Sequence, residues 1–125
     1  MTTVLVIEDD ERNRKLARDV LGAAAFLTLE AATAAEGIAL AREHAPDVIL
    51  MDLRLPDMGG AAATRILKGD QTTTAIPVVA MSALSLEGSD DWLDASGFAG
   101  VIEKPFSIRE FPDEVRRYCD DPSPG

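Results

Sequence analysis

Cysteine is nearly missing from this chain: Cys119 stands alone, so no internal disulfide can form, and nothing around the single histidine, His44, resembles a zinc site. No apolar run approaches the length of a membrane span, and no basic region precedes the first apolar run as a secretion signal requires. Positive charge is also short. Twelve Lys and Arg face 22 Asp and Glu, a formal net charge of -10 with a pI near 4.4. Such a field repels polyanions, which argues against direct binding of nucleic acid or insertion at an anionic membrane and favours a cation or a basic partner surface. A reducing, cytoplasmic location is the default expectation. Glycine-rich phosphate loops, internal repeats and low-complexity tracts are absent too.

What remains is an ordinary globular composition, 46% hydrophobic and 27% charged over 125 residues. That length suits one domain, which buries roughly two thirds of its unfolded surface. Four short apolar runs without polar alternation, Val4–Ile7, Val48–Met51, Val78–Met81 and Val101–Ile102, read as strands covered on both faces; Leu27–Ala31 is a weaker fifth. Helical spacing fills the intervals, at Leu16, Val20 and Leu21, at Ile38 to Arg42, at Ile66 and Leu67, and at Ile108, Phe111 and Val115. Pro46, Pro77, Gly97 and Gly100 punctuate the boundaries, and Ser107 is a candidate cap for the last helix. Strands alternating with helices predict a doubly wound α/β domain with a five-stranded parallel sheet and helices on both faces. The expected domain covers residues 1–119, with 120–125 as a flexible tail.

In such a sheet the loops at the carboxyl ends of the strands converge, and ligands bind there. The first strand ends in Glu8-Asp9-Asp10, the third in Asp52, the fourth in Ser82 and the fifth in Glu103-Lys104-Pro105. Clustered carboxylates need a cation among them, and a hard one with oxygen ligands, Mg2+ or alternatively Mn2+, fits best. An ionised carboxylate beside it can attack phosphorus and form an acyl phosphate, with Lys104 and Ser82 offering charge and a hydrogen bond to the phosphoryl oxygens.

Taken together and in order, Val4 to Asp10, Met51 to Gly60, Met81-Ser82-Ala83 and Glu103 to Phe106 resemble the receiver domain of bacterial response regulators, over about Thr3 to Tyr118. The resemblance implies a flavodoxin-like strand order 2-1-3-4-5 and a phosphoacceptor role for Asp52. It implies that Asp9 binds the metal directly with Asp52 and the backbone carbonyl of Arg54, while Glu8 acts through water. Lys104 would pair with the phosphoryl group, the Lys104-Pro105 bond would be cis, and Ser82 would move towards the phosphoryl group on activation. The phosphodonor would be a histidine kinase or a histidine phosphotransfer protein, and the output a changed affinity for a downstream protein. The domain would not be an enzyme beyond its own phosphoryl transfer and slow autodephosphorylation.

Two departures from the family pattern matter. Val101 stands where receivers commonly carry Tyr or Phe as a switch residue, and an aliphatic side chain cannot make that swing. Arg54 and Leu84 hold positions that influence acyl phosphate hydrolysis, and neither offers a group to orient water, so a long-lived phosphate is expected. A stand-alone receiver is the first expectation, with a phosphorelay intermediate or a module excised from a hybrid kinase as variants. Its contact face, by resemblance, comprises the helix around Trp92, the fifth strand and the last helix. A small aspartyl-phosphate phosphatase would place a second Asp where Arg54 stands, and an FMN binder would need a hydroxyl-rich loop after the first strand instead of carboxylates.

Simpler roles compete residue by residue. Asp10 can serve only as an acidic helix start, Asp57 and Gly59 mark a turn, and Cys119 is a packing residue. Trp92, among acidic neighbours, is balanced between packing and partner contact.

Overall fold

The computed structural model describes residues 2–82, 97–103 and 108–120, without the side chains of Ser82, Glu103 and Asp120. Among these residues are five strands, β1 (Thr3–Ile7), β2 (Leu27–Ala31), β3 (Val48–Asp52), β4 (Val78–Ser82) and β5 (Gly100–Glu103). They form one parallel sheet in the order β2-β1-β3-β4-β5. Four helices accompany them: α1 (Glu11–Ala23), α2 (Ala34–His44), α3 (Gly60–Lys68) and α4 (Phe111–Asp120). The expected helix around Trp92, the cis Lys104-Pro105 bond, the Ser107 cap and residues 121–125 of the expected tail lie outside the described residues, while Asp120 is the last residue of α4.

The unbroken apolar strands are explained by two cores. Alternate side chains pass to opposite faces of a strand. Leu5, Ile7, Ile49, Met51, Val78 and Ala80 meet α2 and α3 on one face; Val4, Val6, Val48, Leu50, Val79 and Met81 meet α1 and α4 on the other. Each helix supplies its buried residues at a spacing of three or four, as Ala34, Ile38 and Ala41 do in α2 and Phe111 and Val115 in α4.

The ends follow local chemistry. Asp10 caps α1, accepting from the backbone N–H groups of Arg12 (2.8 Å) and Asn13 (3.3 Å). Thr33 caps α2 through Glu36 N (3.1 Å), and Glu36 Oε1 reaches back to Ala32 N (2.9 Å). That helix stops at Ala45, whose φ of 46° is left-handed, one residue before Pro46. At the sheet edge, Gly100 leaves the space that Tyr118 of α4 occupies, because a Cβ there would run into the phenol.

β3, β4 and β5 run through Asp52, Ser82 and Glu103, the polar residues expected at their ends, since ladder pairing depends on backbone and not on side-chain polarity. Two differences from the pattern expected of the sequence are small and physical. α4 begins at Phe111, leaving Ile108 in the preceding turn with 65% of its surface exposed. Ile66 sits on the outer side of α3 while Leu67 is buried.

Far from the carboxyl edge, Asp70 ties α2 to the turn after α3. Its Oδ2 accepts from Arg42 Nε at 2.6 Å, and its Oδ1 from Thr72 N (2.9 Å) and the Thr72 hydroxyl (2.7 Å). Thr72, first through its N–H and then its hydroxyl, and Arg42 after it, hold the Asp70 carboxyl at about 2 against an ordinary 3.8. A depressed folded pKa contributes stability that is present above the unfolded value and is lost as pH falls through the folded one. The expected outcome is that thermal midpoints measured between about pH 4 and 2 fall less steeply in Asp70→Asn than in wild type.

Candidate metal and phosphoryl site

β1 runs directly into Glu8 and Asp9, and β3 ends on Asp52; because β1 and β3 are neighbours paired Ile7 to Met51, these residues emerge side by side. One carboxylate oxygen from each of Glu8, Asp9 and Asp52 lies within 4.8 Å of the others. Glu8 is 1% exposed and Asp52 7%, whereas Asp9 faces solvent. Asp10, next in the chain, points its carboxylate at the α1 amides and stands outside the cluster.

Backbone contacts fix both carriers. Glu8 N donates to Ala31 O (2.9 Å), continuing the β1–β2 ladder, and Arg14 Nη1 donates to Glu8 O (2.9 Å). Arg14 also pairs with Glu30 of β2 (3.5 Å), so α1 and β2 meet over the start of the acidic segment. Asp10 N approaches Glu8 Oε2 at 3.4 Å. Asp52 Oδ1 accepts from Arg54 N at 3.1 Å, which orients the carboxylate from its own loop.

The loop after β3 is closed twice. Arg54 and Gly59 form an antiparallel bridge, and Gly60 N donates to Leu53 O (3.2 Å). Gly60, the first residue of α3, lies flat on the strand end: a Cβ there would stand 2.7 Å from the Asp52 carbonyl oxygen and 3.0 Å from Leu53 Cα. The buried Thr64 hydroxyl donates to Gly60 O (2.8 Å) and holds that contact. Asp57, at the far side of the loop, accepts from Ala34 N and Ala35 N of α2, both at 2.9 Å.

The structure thus brings together Glu8, Asp9 and Asp52. It places Arg54 one residue past the strand-end contact and Ser82 at the end of the adjacent strand, in register with Glu103. Lys104 lies outside the described residues. Val101 is half-buried against the core on the α2 and α3 side. The parts played by Gly60, Arg14 and Asp57 were missed from sequence; Asp57 was legible only as a turn residue, and its partners lie 23 and 22 residues away.

Three carboxylates this close, two of them withdrawn from water, repel one another strongly unless a cation lies among them. All the donors are oxygen, a set that suits a small hard cation and disfavours soft metals. Fold and site therefore define a doubly wound α/β module that gathers a cluster of carboxylates at its carboxyl edge, with a donor set suited to a small hard cation.

Comparison with known proteins agrees. Residues 4–116 match the response regulator receiver domain family. The polar-differentiation response regulator DivK of Brucella ovis is 37% identical over 119 residues, 95% of this chain and 97% of that protein. The receiver domain of the sensor histidine kinase PA1611 from Pseudomonas aeruginosa, solved with a magnesium ion coordinated in its active-site cleft, superposes with a TM-score of 0.85 at 25% identity, covering 94% of this chain and 97% of that one. Chemotaxis protein CheY4 of Vibrio cholerae, 23% identical, shares the fold with a TM-score of 0.89 over 94% and 98% of the two chains. The chain belongs to the response regulator receiver domain family, the signalling modules of two-component systems. Among the described residues no helix is long and apolar enough to cross a membrane.

Proposed function

We propose that Asp52 is the phosphoacceptor of this receiver, working in the cytoplasm with a histidine kinase or histidine phosphotransfer protein as donor. The observation that carries the reading is the buried carboxylate of Asp52 at the end of β3, held by Arg54 N and set beside Glu8 and Asp9. An oxygen of Asp52 attacks the phosphorus of the donor; the bond from phosphorus to the donor atom breaks, its electron pair leaves with the donor, and an acyl phosphate remains. Asp9, Asp52 and the Arg54 carbonyl would hold Mg2+ or Mn2+ directly, and Glu8 would hold it through water. When bound, the cation offsets charge on the phosphoryl oxygens. Lys104 and Ser82, at the ends of β5 and β4 in sequence, are assigned the remaining charge and hydrogen bond. The modified domain then changes its affinity for a downstream protein.

The test is incubation with a small phosphodonor, with Mg2+ or with a chelator, followed by intact mass. One added phosphoryl group is expected with Mg2+ and none with chelator; a chelator-insensitive adduct, or no adduct in either, sinks the reading. The lifetime of the product follows from Arg54, which is exposed and brings no carboxylate or amide to orient water. Wild-type phosphate should decay several-fold more slowly than that of Arg54→Asn at fixed Mg2+, and equal decay times would show that Arg54 does not set the lifetime.

A further inference from the structure

Asp57 links the site to α2, a helix that supplies no group to the phosphoryl transfer. Its two carboxylate oxygens are divided between successive N–H groups at the start of α2, Ala34 N and Ala35 N, at 2.9 Å each. Thr33 Oγ1 takes the next one, Glu36 N, so side chains satisfy the whole first turn, and two of its three bonds come from the β3–α3 loop. A helix N-terminus favours an anion at this place, and these two bonds hold the Asp57 carboxyl below the usual carboxylate range.

On the loop side, Asp57 lies within the segment closed by the Arg54–Gly59 bridge, and Arg54 N holds Asp52 Oδ1. The same helix also presses on the other acidic strand: Gly37 lets α2 close onto the side chain of Ile7, the residue before Glu8. α2 is thereby tied to both strand ends that carry the carboxylates.

We propose that Asp57 is a positioning residue for the metal site: it anchors the β3–α3 loop on the first turn of α2, fixing Arg54 and Asp52 for the cation, so that metal loading is felt in turn at α2. The proposal rests on the reading that Glu8, Asp9 and Asp52 hold a divalent cation. Coupling between two sites is reciprocal. If the anchor favours the loop geometry that binds metal, metal must strengthen the anchor by the same factor. Such a route runs through backbone and a carboxylate, and it does not need an aromatic side chain at Val101.

The experiment is a Mg2+ titration of the full chain followed by amide NMR, with exchange rates read at Ala34 and Ala35. In wild type, Mg2+ should slow exchange at both amides several-fold. In Asp57→Ala the dissociation constant for Mg2+ should rise about tenfold, in line with other groups that orient metal ligands from outside the coordination sphere, and the Mg2+ effect on α2 should vanish. Thr33→Ala is the control, since it removes a cap from the same turn but touches no part of the loop; it should lower the thermal midpoint and leave the dissociation constant unchanged. Asp57→Asn keeps one acceptor oxygen and should fall between, and it replaces Asp57→Ala should that variant fail to fold. An unchanged Mg2+ affinity in the Asp57 variants, with wild type binding normally, overturns the anchor alone. Absence of saturable Mg2+ shifts in wild type overturns the metal reading and the anchor with it.

Discussion

Asp52→Asn should lose all phosphoryl incorporation and, in the absence of divalent metal, be more stable than wild type. The first effect follows from chemistry: an amide oxygen is not an adequate nucleophile towards phosphorus at neutral pH, and Glu8 and Asp9 do not occupy the strand-end position held by Arg54 N. The second follows from charge. At 4.8 Å, the upper limit of their separation, and an effective dielectric near 20, a pair of like charges costs about 3 kcal/mol before salt screening. Asp9 is exposed and its share is smaller, while Asp52 and Glu8 are both buried and theirs is larger. Removing one charge while keeping Oδ1 as acceptor for Arg54 N should raise metal-free stability by about 1–3 kcal/mol. Urea denaturation with chelator present measures it. The same substitution should erase most of the stabilisation that Mg2+ gives wild type, because binding to the folded state alone stabilises it in proportion to affinity. A variant less stable than wild type without metal would mean that the three carboxylates do not strain the site.

The second large effect is expected at Gly60. Its φ is not left-handed, so alanine meets no backbone strain there; the difficulty is space alone. The added carbon would sit 2.7 Å from the Asp52 carbonyl oxygen, and the neighbour is backbone that cannot rotate away. Either α3 lifts from the strand end, loosening the Gly60 N to Leu53 O bond and the Thr64 hydroxyl contact, or the end of β3 moves. Overpacking of this kind costs about 1–3 kcal/mol. Displacement of a nucleophile by a fraction of an ångström to an ångström costs about tenfold or more in rate. Gly60→Ala should therefore lose stability and phosphorylate about tenfold more slowly, read by denaturation and by the initial rate with a small phosphodonor. Gly59→Ala provides the contrast. Nothing lies within 4 Å of a Cβ at that position, so only the weaker capping preference of alanine acts, at below about 1 kcal/mol.

The sheet was legible because a strand covered on both faces cannot carry polar residues in its middle, and the runs at Val4, Val48 and Val78 have none. β2, at the edge, was weaker in sequence for the same reason: Leu27 is half exposed and Glu30 lies among its apolar residues. The acidic cluster was legible because topology brings strand ends together, and three carboxylates at two neighbouring strand ends call for a cation between them. Asp10 was open between ligand and cap; its distances to Arg12 N and Asn13 N assign it to the cap.

The supports of the site were not legible. Asp57 reads in sequence as a turn residue, and only the fold shows that its turn ends against the amides of α2. Gly60 reads in sequence as a residue that shapes the loop and the entry to the third helix, and only the fold shows its close approach to the Asp52 carbonyl. Arg14 reads as one more charge on an amphipathic helix, although its guanidinium reaches the Glu8 carbonyl. Each depends on distances between segments that spacing along the chain does not encode. Ile108 and Ile66 mislead in the other direction, being apolar at helical spacing yet exposed.

The central claim is that the phosphoryl group resides on Asp52 as an acyl phosphate. Reduction of the phosphorylated protein with borohydride converts such an anhydride to the alcohol with release of phosphate, leaving a stable mark at the modified residue. Peptide mapping should then find homoserine at position 52 and at no other carboxylate, only in samples treated with phosphodonor and Mg2+. A mark at Asp9 or Glu8 instead, or phosphate that survives reduction on a hydroxyl or histidine side chain, would contradict the assignment.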